Sequence, residues 1–231
     1  MKLILNIDTS CEVCSVSISS SDGVLGYRES TEKNSHSSQL AVITNQLLVE
    51  LSVKKEQLSA IAVNKGPGSY TGLRIGAAFA KGLCFALNIP LIAIDSLLIL
   101  SKEFLLTNPS ALVDFICPMI DAKRMEVYTA LFDSTLNQIL PTQPLILDNQ
   151  SFSEYADKKI AFVGNGSPKF KFLTHNIFTN AYFFEKLYPN AKSMAYFSQS
   201  LFINKCFENL AYFEPNYLKD FIPTTKPKTK L

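Results

Sequence analysis

Three groups of residues in this sequence have types and spacings that could do chemistry. The first is the loop Gly66-Pro67-Gly68-Ser69-Tyr70-Thr71, which runs into a helical pattern carrying Gly72 and Gly76. Successive free N–H groups ahead of a helix N-terminus form a nest that favours an anion. It is not a P-loop, because no Gly-Lys-Ser/Thr follows the first glycines at the required spacing. The second group is a pair of carboxylates, Asp8 and Asp121, each closing a short apolar run. The third is Cys11-Glu12-Val13-Cys14 with the histidines His36 and His175. No second cysteine pair completes a zinc site, and two histidines so far apart cannot form HExxH or HxxxH.

Composition narrows the classes. A chain of 231 residues, 47% of them hydrophobic, can bury one large core or two small ones. A net charge of +2 implies neither nucleic acid nor membrane by itself. Residues 223–231 place Lys226, Lys228 and Lys230 among prolines and threonines, which reads as a disordered solubilising tail, with RNA contact as the alternative. Five cysteines, mostly in apolar runs, fit free thiols in a reducing compartment. No charged-then-apolar leader precedes Leu3, and no apolar run reaches the roughly 20 residues that span a bilayer. The expectation is a cytoplasmic protein.

The elements that must position these residues follow from periodicity. Residues 2–7, 14–20 and 24–29 read as a three-stranded meander with a turn at Ser21-Asp22-Gly23. Leu40, Ile43, Leu47, Leu48 and Leu51 recur at helical period after a polar stretch at 34–38. A strand at 60–63 feeds the glycine loop; helix 71–87 stops at Asn88-Ile89-Pro90, where Asn suits a left-handed cap and Pro cannot continue. A strand at 91–94 and a helix at 96–106 complete the set. Past Thr107-Asn108-Pro109 the order restarts: strands at 115–120, 125–132 and 136–147, a helix at 151–157, a strand at 160–163, the turn Gly164-Asn165-Gly166 and a helix at 193–213. Asp8 and Asp121 hold the same place in the two halves, which points to a duplication. The expected fold is therefore α/β, with two actin-like, ribonuclease-H-type lobes of mixed sheet and helices. The lobes span 1–107 and 108–222, the last helix packing back on the first lobe, and a basic tail covers 223–231.

With these segments placed, the chain resembles the TsaB (YeaZ) family of the ASKHA superfamily along nearly its whole length. The resemblance rests on Ile7-Asp8-Thr9-Ser10, His36-Ser37, the run from Gly66 to Gly76, Ala80-Lys81-Gly82-Leu83, Pro90 and Asp95-Ser96-Leu97. It continues through Asp121-Ala122-Lys123-Arg124-Met125-Glu126-Val127-Tyr128, Gly164-Asn165-Gly166 and Pro215-Asn216-Tyr217-Leu218. Three positions depart from the family pattern: Tyr70 for a commoner phenylalanine, Gln39 for glutamate and Lys219 for arginine. The resemblance implies a part in making threonylcarbamoyladenosine in tRNA. There the catalytic paralogue TsaD transfers the group, the ATPase TsaE cycles the complex, and TsaB-like chains bind TsaD, which shares their fold. ATP or ADP at the complex junction, tRNA reached through the complex, and a homodimer in isolation are further implications; no cofactor is required and no membrane is involved.

The catalytic relative holds its metal with an HxxxH pair; by offset from Pro90 those positions here are Ser96 and Leu100, neither of which can replace an imidazole. Asp8 and Asp121 stand where actin-like ATPases and sugar kinases orient Mg²⁺. Asp8, Thr9, Ser10, Gly66, Gly68, Ser69 and Asp121 are accordingly the candidate nucleotide or phosphate residues, although bulky Cys11-Glu12-Val13 replaces the usual glycine turn. The candidate partner interface is the stripe His36, Leu40, Ile43, Leu47 on the first helix with Gly72, Leu73, Gly76, Ala77, Ala80 and Cys84 on helix 71–87. A face so poor in side chains suits either packing inside its own lobe or close approach by another helix. The expected activity is that of a non-catalytic, activating subunit; the alternatives are a stand-alone actin-like kinase or ATPase and a glycoprotease-type metallopeptidase.

Overall fold

The meander begins with β1 (Leu3–Asp8), whose six residues are all buried because both its faces are covered. Leu5 and Ile7 face one layer, while Ile4 faces the other with Ala60, Ala62, Ile92 and Ile94. This computed structural model describes residues 2–32, 36–174, 178 and 180–219. His175 and the tail at 223–231 lie outside the described residues.

β2 (Cys14–Ser20) and β3 (Gly23–Ser30) run antiparallel beside β1, with Ile7 opposite Val16. On the other side β4 (Leu58–Gly66) and β5 (Leu91–Asp95) are parallel, Ile7 pairing with Val63 and Val63 with Ala93. The first sheet is thus ordered β3-β2-β1-β4-β5. The second sheet repeats it. β6 (Phe115–Asp121), β7 (Glu126–Asp133) and β8 (Gln138–Ile146) form the meander, and β9 (Ile160–Val163) and β10 (Ala181–Phe184) add the parallel side, in the order β10-β9-β6-β7-β8. Counted within each half, both sheets run 3-2-1-4-5 with the same strand directions. This is the ribonuclease-H-type arrangement used twice, an actin-like α/β fold.

Among the described residues, five α-helices close the layers. α1 (His36–Glu50) and α2 (Tyr70–Leu87) cover one face of the first sheet. α3 (Ser96–Thr107) leaves that sheet and packs on the second through Leu97, Leu100 and Phe104. α5 (Ala191–Ile203) makes the reverse exchange, laying Met194 on the first sheet and touching α3. Its start docks on a strip of hydroxyls: Ser17 Oγ donates to Ala191 O at 2.7 Å, and Ala191 N to Ser15 Oγ at 3.0 Å. The alternating serines of β2 are therefore buried, with their polar groups satisfied.

Two expectations need correcting. The helix at 151–157 is a single 3-10 turn, Ser153–Tyr155, because Phe152 adopts a left-handed φ of 60° with its ring against Phe162 and Phe170. The last helix stops at Ile203 rather than 213, reversing through Lys205 at φ 56°. From there residues 206–219 form a strap across the first lobe. Glu208 N bonds Leu91 O at 2.9 Å, Phe213 enters the core, and Asn216 N bonds Lys65 O at 2.7 Å. The sequence reading also missed α4 (Ser167–Leu173), which opens with Ser167-Pro168, and the aromatic edge strand β10.

Candidate functional site

The glycine loop and α2 are seated on the turn after β1. Ser69 caps the helix, its Oγ accepting from Gly72 N at 3.2 Å, and Asn88 ends it at φ 53°, the left-handed cap its sequence suggests. A Cβ placed on Gly72 would stand under 3.0 Å from Thr9 O, and one on Gly76 under 3.0 Å from Thr9 Oγ1. Thr9 Oγ1 donates to Gly72 O at 2.7 Å. Gly68 is pressed in the same way against Ser10, whose carbonyl accepts from Ser69 N at 2.7 Å. The bare face of α2 meets its own chain.

The structure turns most of the residues expected at a partner interface inward. Leu40, Ile43, Leu47, Leu73, Ala77, Ala80 and Cys84 are core side chains of the first lobe, and Gly72 and Gly76 are buried under Thr9. Of the ten, His36 alone is partly exposed, its Nε2 lying 2.8 Å from Cys11 O. The surface the helix pair presents is a different set. Val42 and Val49 of α1 are 46% and 70% exposed, and Phe85 of α2 is 82% exposed. Beside Phe85, α2 exposes Arg74, Ala78, Gly82 and Ala86. An added Cβ at Gly82 would meet nothing within 4 Å. A helical glycine costs about 1 kcal/mol against alanine, and at Gly82 nothing inside the described chain requires it.

Between the lobes lies a cleft of about 760 Å³. Ser10, Gly68 and Ser69 line it from the first lobe, and Asp121, Lys123, Tyr128 and Asn165 from the second, with Glu12 also on the wall. Of the candidate phosphate residues, Asp8, Thr9 and Gly66 are not part of that lining. Asp8 is fully buried: Oδ1 accepts from Ser10 N at 2.9 Å and Ser10 Oγ at 2.7 Å, and Oδ2 from Asn64 Nδ2 at 2.7 Å. Burial pushes its carboxyl above the ordinary range, against the lowering effect of the Asn64 and Ser10 hydrogen bonds. Asn64 in turn accepts from Ser96 Oγ at 2.6 Å and Gly66 N at 2.8 Å. The two positions matching the metal ligands of the catalytic relative are both interior, Ser96 in this node and Leu100 in the second core.

Asp121 differs from its counterpart. Lys169 Nζ lies 2.7 Å from Oδ1, Lys123 N donates to the same oxygen at 2.5 Å, and Asp121 N donates to Asn165 at 2.9 Å. Burial raises its pKa, but Lys169 and the Lys123 amide outweigh that and hold the carboxyl below the ordinary range. Cys11 and Cys14 are both buried, and burial raises both thiols, Cys14 to about 12. Among the described residues no group of three His, Cys, Asp or Glu side chains could hold a metal, and no helix is long and apolar enough to cross a membrane.

The strap was invisible to sequence reasoning. Lys81 Nζ donates to Phe213 O at 3.0 Å, and Tyr217 packs on Tyr70 with ring centroids 4.7 Å apart. Arg74 lies over that Tyr70 ring at 5.4 Å. At its end Lys219 crosses to the second lobe and pairs with Glu126.

A doubled ribonuclease-H-type frame around an interlobe cleft places the molecule among the actin-like proteins. Residues 28–223 match the family model described as TsaD: tRNA N6-adenosine threonylcarbamoyltransferase. The chain is 33% identical over 178 residues to the tRNA threonylcarbamoyladenosine biosynthesis protein TsaB of Bacillus subtilis (strain 168), covering 75% of this chain and 76% of the relative. A tRNA N6-adenosine threonylcarbamoyltransferase of Legionella pneumophila (strain Corby) is 28% identical over 156 residues, covering 57% of this chain and 47% of that one. YeaZ from Pseudomonas aeruginosa superposes with a TM-score of 0.79 at 25% identity, covering 94% of this chain and all of the other. The chain belongs to the TsaB (YeaZ) family of threonylcarbamoyladenosine biosynthesis.

Proposed function

We propose that this chain is a non-catalytic, activating subunit of the cytoplasmic complex that makes threonylcarbamoyladenosine in tRNA. Its partner is the threonylcarbamoyltransferase TsaD, and it docks through the outer faces of α1 and α2. The observation that carries the reading is Gly82, an exposed helical glycine with open space around it, flanked by Ala78, Ala86 and the exposed ring of Phe85. A small-residue lane beside an aromatic anchor lets a second helix come close and seats a ring on it. The occupant is argued from kinship. The transferase family model matches this chain over residues that include both helices, so a like helix pair is available on the partner, and like packs against like around a pseudo-twofold axis. In the partner's absence the same face closes on a second copy of the chain.

The withdrawal of Asp8 supports a non-catalytic role: both of its oxygens are engaged and it does not line the cleft, so Asp8 and Asp121 do not face that space as a pair. ATP or ADP then belongs at the junction of the complex with the ATPase TsaE rather than to a centre of turnover in this cleft. Size-exclusion chromatography of the chain with TsaD from the same source tests the docking. Wild type co-elutes with the partner and Gly82→Arg does not.

A further inference from the structure

The turn joining β6 to β7 is built in a way that the docking reading does not use. Lys123 and Arg124 adopt left-handed φ values of 71° and 50° in succession. Side chains rarely sit there, and such turns favour Asn-Gly instead. The conformation is held by Lys123 N on Asp121 Oδ1 at 2.5 Å, Glu126 N on Lys123 O at 3.1 Å and Ala122 N on Glu126 O at 3.1 Å.

The two carboxylates nearest in sequence are engaged elsewhere. Asp121 pairs with Lys169, and Glu126 pairs with Lys219. Lys123 and Arg124 are exposed and make no ion pair among the described residues. Four cations therefore gather around two carboxylates, of which Asp121 lines the cleft together with Lys123, although the whole chain carries a net charge of only +2. In sequence, Lys219 leads directly into the segment holding Lys226, Lys228 and Lys230, where Asp220 is the single acid. Glu12 lines the cleft that Lys123 borders, which disfavours a polyphosphate inside and favours an extended polyanion passing along the rim.

We propose that the β6–β7 turn, through Lys123 and Arg124, contacts the phosphate backbone of the tRNA on which the complex acts. This rests on the reading of the chain as part of that complex. Phosphate contacts position RNA without reading its sequence, and each one neutralised appears as salt dependence.

The test uses Lys123→Asn/Arg124→Gly, which removes both charges while supplying the residues that a left-handed turn prefers, so the fold is kept. Labelled tRNA is titrated with the chain–TsaD complex, and separately with the chain alone, at several salt concentrations. The double variant is expected to lower the salt slope of log K by about 1.4 to 1.8 and to weaken binding several-fold at low salt. Unchanged slope and affinity with a folded variant overturn the proposal. So does a variant that loses binding of free ATP but not of tRNA, which would make the turn a mononucleotide site. Failure of the complex to assemble sinks the docking reading on its own, and the titration of the chain alone still decides this one.

Discussion

Thr9 donates its hydroxyl to the carbonyl of Gly72 at 2.7 Å, threading the turn after the first strand into the bare face of α2. The close approach exists because neither Gly72 nor Gly76 has a Cβ to obstruct it. The first turns of the glycine helix therefore lock the lobe internally, and the outer lane at Gly82 stays exposed with open space around it.

Two glycines of one helix should respond in opposite directions to the same substitution. Gly76→Ala drives a methyl into Thr9 and is expected to destabilise by about 1 to 3 kcal/mol, as overpacking does. Thr9→Ala should recover part of that loss in the double variant, because it removes the hydroxyl that is struck. Gly82→Ala meets open space and is expected to stabilise by about 0.5 to 1 kcal/mol through helix propensity. Urea unfolding of the four proteins reads all of these values.

Cysteine accessibility gives a second check on the core. Cys11, Cys14, Cys84 and Cys117 are buried, and burial raises the thiols of Cys14, Cys84 and Cys117 to about 12. The thiolate is the reacting species, so these four should resist alkylation in the native state while exposed Cys206 reacts. Mass spectrometry after native iodoacetamide treatment should show one modified thiol, and all five after unfolding.

The Asp121–Lys169 pair predicts a pH signature. Asp121 is held below its ordinary pKa when folded, so its contribution is present above the unfolded value near 3.9 and fades as pH falls through the lower folded value. Asp121→Asn should cost up to about 1 kcal/mol at pH 7, the range of a partly exposed pair. The difference from wild type should shrink as the pH is taken from neutral to acid values below the lowered folded pKa. Denaturation at the two pH values measures it.

Much of this was legible in the chain. The alternation in the strands and the aspartates closing the two apolar runs give the doubled meander, and Asn88 followed by Pro90 marks the end of α2. The boundaries that failed did so where tertiary contacts overrode local pattern. Phe152 takes a left-handed conformation because its ring belongs to the cluster with Phe162 and Phe170. The strap leaves α5 because Phe213 and Asn216 gain partners on the first lobe. The site was half legible. Glycine spacing located a close approach but could not reveal that Thr9 fills it. A period of 3.6 likewise cannot tell the buried stripe of Gly72, Gly76 and Ala80 from the exposed one of Ala78, Gly82 and Ala86.

The most direct measurement is the complex-forming ability of Gly82→Arg beside Phe85→Asp, with TsaD from the same source, by size-exclusion chromatography with light scattering. Both variants should match wild type or better in unfolding midpoint, since arginine is a better helix former than glycine and Phe85 is exposed. The account predicts that wild type forms the heterodimer and that neither variant does. Heterodimer formed by both variants at wild-type affinity would contradict it.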